Sequence, residues 1–197
     1  GTVHGAWSAP SFQNGVHEDP QWLLEHMDDF GTDRCENHFN VGWAWALDSP
    51  FQWMKQVASH FGGTRNAMVL SLPDQIKDQG GLRSQFHHVI DIVPTILELV
   101  GIDAPEKVNG ITQSNIQGDS MVYSFADEKL KSTHETQYFE ILGNRGIYHD
   151  GWIASCFHGR LPWIRYAGYA FDGPQEIWEL YNIEDDFSQG NDLAASH

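Results

Sequence analysis

The chain has 197 residues, 41% of them hydrophobic, and a formal net charge of −16 from 11 basic and 27 acidic side chains. That length supports one good core, or one core with a small satellite; the acidity argues against nucleic acid and anionic membrane surfaces, which demand basic faces. No apolar run approaches the roughly 20 residues that span a bilayer, and Cys35 and Cys156 are too few for a disulfide framework.

Residues 1–20 are rich in Gly, Ser, Pro and His and read as a loop. Asp19-Pro20 predicts a helix start, because proline fits the first turn. Trp22, Leu23, His26, Met27 and Phe30 supply its 3.6-period face, and Gly31 its stop. Residues 32–53 set Trp and Phe among small residues with no clear period and read as an irregular wall or lid. Ala67 to Leu72 is a short apolar run closed by Pro73, which predicts a buried strand. Gly80-Gly81 marks a turn.

Residues 91–101 give the best helix signal. Asp91 is placed as N-cap and Pro94 falls in the first turn. Ile92, Val93, Ile96, Leu97 and Val100 line one face, and Gly101 is placed as C-cap. Residues 103–120, with Pro105 and Asn109-Gly110, read as loop. The polar run Asp127 to Thr133 is a candidate boundary, dividing the chain into segments 1–126 and 134–197. Beyond it, Thr136–Ile141, Arg145–His149, Trp152–Phe157 and Ile177–Tyr181 predict an antiparallel sheet, with Asp150-Gly151 as a hairpin turn.

The run Phe51 to Arg65 carries the chemistry. Lys55 is the one charged side chain between Phe51 and Thr64, ahead of Gly62-Gly63 and Arg65. Glycines without Cβ let the backbone bend sharply or pack close, and a lysine beside such a bend is a compact charge that can be aimed at an oxyanion. His60 is read first as a packing histidine; as a site residue it donates a proton or hydrogen bond nearby. Arg65 is read as pinning the turn. Trp7, Trp22, Trp43, Trp45 and Trp53 crowd the first quarter and are mostly core, with Trp43 and Trp45 the first candidates for stacking on a substrate. His87-His88 point in different directions in any regular element, which favours a surface or capping role over a metal pair. Glu184-Asp185-Asp186 reads as a solvated turn, and His4 as a loop histidine.

Several blocks in order resemble the sulfatases of the alkaline-phosphatase-like superfamily, in particular the bacterial arylsulfatase type. They are Asn40 to Trp53, Lys55 to Arg65, His87 to Gly101, Asn144 to Trp152 and Trp178 to Gln189. The resemblance implies an α/β fold, present in part: the end of the large mixed-sheet domain over 1–126, then the small C-terminal antiparallel-sheet subdomain over 134–197. It implies hydrolysis of a small-molecule sulfate ester, with Lys55 contacting the sulfate. It also implies an upstream formylglycine and a divalent metal, expected to be Ca²⁺, with no metal ligand assigned in this chain. Cys156-Phe-His-Gly-Arg160 has the Cys-to-Arg spacing of the formylglycine motif, but His158 stands in place of its proline and it follows Lys55; Cys156 is read as a strand residue. The chain is therefore expected to be the C-terminal portion of such an enzyme, inactive alone. Two other readings stand beside this one: a phosphodiesterase or phosphonate hydrolase of the same superfamily, and a non-catalytic module binding aromatic or sugar ligands through its tryptophans.

Overall fold

The computed structural model describes residues 5–8, 20–159 and 176–196. It is mixed α/β with small antiparallel sheets. The chain divides into two compact units, Gly1–Asn66 with Tyr138–His197, and Ala67–Gln137.

A four-stranded sheet dominates the first unit. Its strands are β5 (Thr136–Ile141), β6 (Asn144–His149), β7 (Trp152–Cys156) and β8 (Trp178–Asn182), side by side in that order. The β6–β7 and β7–β8 pairs are antiparallel. Asp150 and Gly151 join β6 to β7 at φ 42° and 84°. Positive φ at both central residues is what a tight hairpin matched to strand twist requires. Leu142 and Gly143 do the same between β5 and β6, at 54° and 85°.

Strand alternation gives the sheet one buried face. Across β6, β7 and β8 the cross-strand rows run Gly146–Ser155–Glu179 and Tyr148–Ile153–Tyr181. Ile153 and Tyr181 pack with Phe61, and Phe51 and Ile183 close the cluster. Phe51 meets Phe61 and Phe187 edge-on, at 6.1 and 5.1 Å between centroids, the arrangement that the ring quadrupole favours.

The first unit also holds β1 (Ala6–Ser8) paired antiparallel with β2 (Cys35–Asn37), and three helices: α1 (Pro20–Glu25), α2 (Val41–Asp48) and the single turn α3 (Phe61–Thr64). In the second unit, a 3₁₀ turn over Val89–Asp91 feeds α4 (Ile92–Val100), which ends at Gly101 with φ 66°. A two-residue hairpin, β3 (Lys107–Val108) and β4 (Ile111–Thr112), turns at Asn109-Gly110. A second 3₁₀ turn covers Val122–Phe125. Among the described residues no helix is long and apolar enough to cross a membrane.

Five expectations need correction. Residues 103–120 are not loop throughout: Lys107–Val108 pairs with Ile111–Thr112 across the Asn109-Gly110 turn that the sequence marks. Ala67 to Leu72 forms no strand: among the described residues none runs beside it, and Val69 is 92% exposed. An apolar run becomes a buried strand only where neighbours accept its backbone hydrogen bonds. Residues 32–53 are not irregular, since they contain β2 and α2. Apolar groups ring α2 on all sides, which hides the helical period, although Asn40 caps it by accepting from Gly42 N at 2.9 Å. The first helix is short; α1 stops at Glu25 and a separate 3₁₀ turn follows over Met27–Asp29. Asp91 does not cap α4 with its side chain; its carboxylate accepts instead from His88 N at 2.7 Å, one turn earlier. The loop expected over residues 1–20 and the His4 reading lie mostly outside the described residues, as does Arg160.

Candidate functional site

Lys55 sits in a loop, Met54 to His60, pressed against the buried face of the sheet. Met54, Val57, Ala58, Ser59 and His60 are all buried, while Lys55 is exposed. The Gly62-Gly63 pair makes that packing possible. A Cβ at Gly62 would stand 2.3 Å from both the Gln52 and Trp53 carbonyl oxygens, and one at Gly63 would stand 2.0 Å from the Val57 oxygen. Gly146 on β6 similarly lets Ala58 O approach to 3.2 Å of where its Cβ would be. The glycines thus serve a close approach of backbone to backbone, folding α3 under the loop.

The backbone on both sides of Lys55 is unusual. Trp53 has φ 66° and Gln56 has φ 78°. Left-handed backbone is disfavoured for side chains with a Cβ, most of all for a bulky aromatic. Each such residue costs on the order of 1–3 kcal/mol and persists only where its surroundings over-determine it.

Those surroundings are fully buried carboxamides. Asn144, at the start of β6, donates from Nδ2 to Gln56 O at 3.3 Å and accepts on Oδ1 from His158 N at 3.0 Å. Gln189 accepts from Phe61 N on Oε1 at 2.7 Å and donates from Nε2 to Ser155 Oγ at 3.1 Å; its own carbonyl takes a hydrogen bond from Gln52 Nε2. The loop is therefore held at Gln52, Gln56 and Phe61 by bonds that reach across 88 to 137 positions of sequence.

His60 belongs to this bracing. It is 1% exposed. Its Nδ1 lies 2.9 Å from Ser59 Oγ, and its Nε2 lies 2.9 Å from Glu179 Oε2, at an angle outside hydrogen-bond geometry. Burial pushes the imidazole below its ordinary pKa, with Glu179 opposing. A neutral ring with its proton on Nε2, accepting from Ser59 on Nδ1, suits those neighbours. Enclosed in this way, His60 does not reach the cavity beside Lys55.

Arg65 is a packing residue too. Its guanidinium lies 5.3, 5.2 and 5.3 Å from the ring centres of Phe51, Phe61 and Phe187. It pins the turn through aromatic faces, and burial pushes its pKa down.

Lys55 faces a cavity of about 560 Å³, lined also by Asn37, His38, Phe39, Ala44, Leu47, Asp48 and Met54. Among the described residues Lys55 is the only lysine or arginine on that wall, and nothing hydrogen-bonds or pairs with its ammonium. Asp48 is the acidic side chain among those lining residues, and burial pushes its carboxyl up. Phe39, Leu47 and Met54 give the rest an apolar character. The wall thus sets one cation and one carboxyl beside apolar side chains.

The other candidates fall elsewhere. Trp43 and Trp45 extend from α2, 68% and 41% exposed, on either side of the wall residue Ala44, and neither lines the cavity. Trp45 leans on Trp53 at 5.2 Å, and Trp53 stacks on Phe157 at 4.3 Å. His88 accepts from Ile90 N in a reciprocal cap with Asp91. Cys156 is a buried strand residue. Among the described residues no group of three or more His, Cys, Asp and Glu side chains is arranged to hold a metal ion. Sequence reasoning missed Asn144, Gln189 and Glu179. Glu179 was legible only as a strand residue and Asn144 only as the residue before a strand, and Gln189 carries no local signal.

No model of a known protein family matches this chain. Among solved structures it is similar to that of BT4656 in complex with its substrate D-glucosamine-2-N,6-O-disulfate, with 18% sequence identity and a TM-score of 0.34. That similarity covers 54% of this chain and 20% of the other, so the chain spans about a fifth of that protein's length.

Proposed function

We propose that this chain is the lysine-bearing part of a sulfuric-ester hydrolase of the arylsulfatase type, within an alkaline-phosphatase-like fold, and that Lys55 contacts the sulfate. One observation carries the reading: a strained, buried loop presents a single uncommitted ammonium to a cavity wall. Backbone strain held by buried neighbours accumulates where geometry is needed for function. A compact ammonium there offsets negative charge building on sulfate and leaving-group oxygens during S–O cleavage. With a net charge of −16 the chain repels anions at long range, so a sulfate ester is retained only by a local cation such as this. The apolar wall formed by Phe39, Leu47 and Met54 suits an aryl leaving group. The order of the sequence blocks around Lys55 supports the same class. A formylglycine nucleophile and a Ca²⁺ ion complete this reading from outside the chain, and neither is assigned to a residue here.

The test is Lys55→Ala in the intact enzyme that contains this chain, assayed on an aryl sulfate. Loss of one charged donor to a transition-state oxyanion is expected to lower turnover roughly a hundred-fold, about 3 kcal/mol, with the urea midpoint unchanged because Lys55 is exposed. Near-normal turnover in that variant would remove Lys55 from the site and the reading with it.

A further inference from the structure

Lys55 is one of the few residues between Gln52 and Phe61 whose side chain faces outward, and it lies between two residues with positive φ. Next to it, the Gln56 carbonyl is taken up by Asn144 Nδ2. Asn144 is wholly buried, and its Oδ1 is committed to His158 N. Its amide therefore has a fixed orientation, because the acceptor side is defined by a backbone N–H and the donor side by a backbone carbonyl. Inward rotation of Gln56 to an ordinary negative φ would swing that carbonyl away from Asn144 and leave a buried donor unpaired.

We propose that Asn144 is a positioning residue for the Lys55 ammonium: by holding the Gln56 carbonyl it locks the loop in its left-handed conformation and so fixes the direction in which Lys55 leaves the sheet. This rests on the sulfate-contact reading of Lys55. Asn144 touches no substrate. It acts through the Gln56–Val57 peptide, one residue beyond Lys55, and the strain at Gln56 is the conformational cost of that aim. A catalytic charge displaced by about 1 Å forfeits up to a hundred-fold in rate, so a brace of this kind affects turnover more than substrate binding.

The test compares Lys55→Ala, Asn144→Ala, the double variant and Gln56→Gly in the intact enzyme, measuring kcat, KM and thermal midpoint on an aryl sulfate. Asn144→Ala is expected to lower kcat about ten-fold with little change in KM, and the double variant to be no slower than Lys55→Ala alone, since both act through one ammonium. Gln56→Gly keeps the Asn144 contact but removes the Cβ that resists φ 78°. It is expected to hold or raise the thermal midpoint with kcat near the parent's, and to restore part of the lost kcat when combined with Asn144→Ala, because φ 78° then needs less enforcement by the brace. If Asn144→Ala does not fold, Asn144→Asp, which keeps the acceptor for His158 N and loses the donor to Gln56 O, carries the test with the same expected fall in kcat. Losses that multiply in the Lys55→Ala/Asn144→Ala variant, or unchanged kcat in the folded Asn144 variant, overturn the positioning role while leaving Lys55 in place. Unchanged turnover in Lys55→Ala alone overturns both assignments.

Discussion

The loop around Lys55 and the start of α4 each bury polar groups to fix a chain reversal, with different chemistry. The loop is held by neutral carboxamides and glycines, with Asn144 and Gln189 bonding backbone and Gly62 and Gly63 removing the side chains that would keep strands of backbone apart. At α4 the centre is a charge. The Asp91 carboxylate, fully buried, accepts from His88 N at 2.7 Å and Asp119 N at 2.9 Å, and meets His134 Nδ1 at 3.0 Å through both oxygens. Thr95 Oγ1 extends this hub, donating to Asp91 O at 2.6 Å and accepting from Met121 N at 2.9 Å. Amide braces hold a strained geometry independently of pH. A carboxylate surrounded by histidines makes its segment respond to acid. The first arrangement suits a loop that must present one side chain in one direction, and the second anchors a helix.

The comparison breaks most sharply at Gly63. A Cβ there meets a backbone oxygen at 2.0 Å, which no rotamer can relieve, so Gly63→Ala is expected to cost about 4 kcal/mol or more. Its effect should stay within the first unit. All eight tryptophans lie outside residues 67–137, so tryptophan fluorescence in urea reports that unit alone. An unshifted fluorescence midpoint would mean the loop can lift from Gly63 at little cost. Next in size is Asp91→Asn, which discards the charge facing His134 and turns an amide donor toward a backbone donor. Breaking a buried charged contact from one side costs about 3 kcal/mol. Amide exchange over residues 88–125 should accelerate while tryptophan fluorescence holds.

Acid sharpens the contrast further. Burial pushes His87 below its ordinary pKa, with Asp91 opposing and His134 adding to the shift; burial pushes His88 down as well, with His134 adding and Asp91 opposing. His87 faces Asp91 at 3.8 Å and the Tyr123 ring at 5.8 Å. Both imidazoles are harder to protonate in the fold than in the unfolded chain, so around and below about pH 6.5 the unfolded chain binds more protons than the folded one. Their contribution is complete above that pH and is lost as pH falls through it. The second unit is expected to lose protection against exchange between pH 7 and 5.5, and His87→Phe to flatten that slope. His60 has the same sign of shift in the first unit, with Glu179 opposing it, so the tryptophan signal should move less over the same range. An equal or larger acid shift in fluorescence would erase the distinction between the two regions.

What the sequence made legible follows from how local each device is. The C-terminal strands were readable because β6 alternates one residue in and one out, and because Asp150-Gly151 names its own turn. Gly101 likewise announced the end of α4. Lys55 was visible as a charge beside two glycines. The left-handed Trp53 and Gln56 were not, since nothing in either residue type calls for positive φ; their conformation is imposed by Asn144 and Gln189 from far along the chain. Asp91 looked like an ordinary N-cap, and its role as a hub depends on His134, 43 positions away. Ala67 to Leu72 failed in the opposite direction: it has the composition of a strand and lacks the neighbour that would make it one.

The smallest predicted effect tests whether the turn under Lys55 is held by charge or by shape. Arg65 lies about equally far from three phenylalanine rings, and burial lowers its pKa. A planar guanidinium stacks on several faces at once with modest desolvation, whereas an ammonium is a strongly hydrated point. Arg65→Lys keeps the charge and most of the apolar stem but loses the plane, and is expected to cost about 1 kcal/mol in the fluorescence-monitored midpoint. Arg65→Met keeps the stem and loses the charge. If shape governs, the two variants fall by similar amounts and added salt changes neither; a lysine variant as stable as the parent would show that charge alone holds the turn.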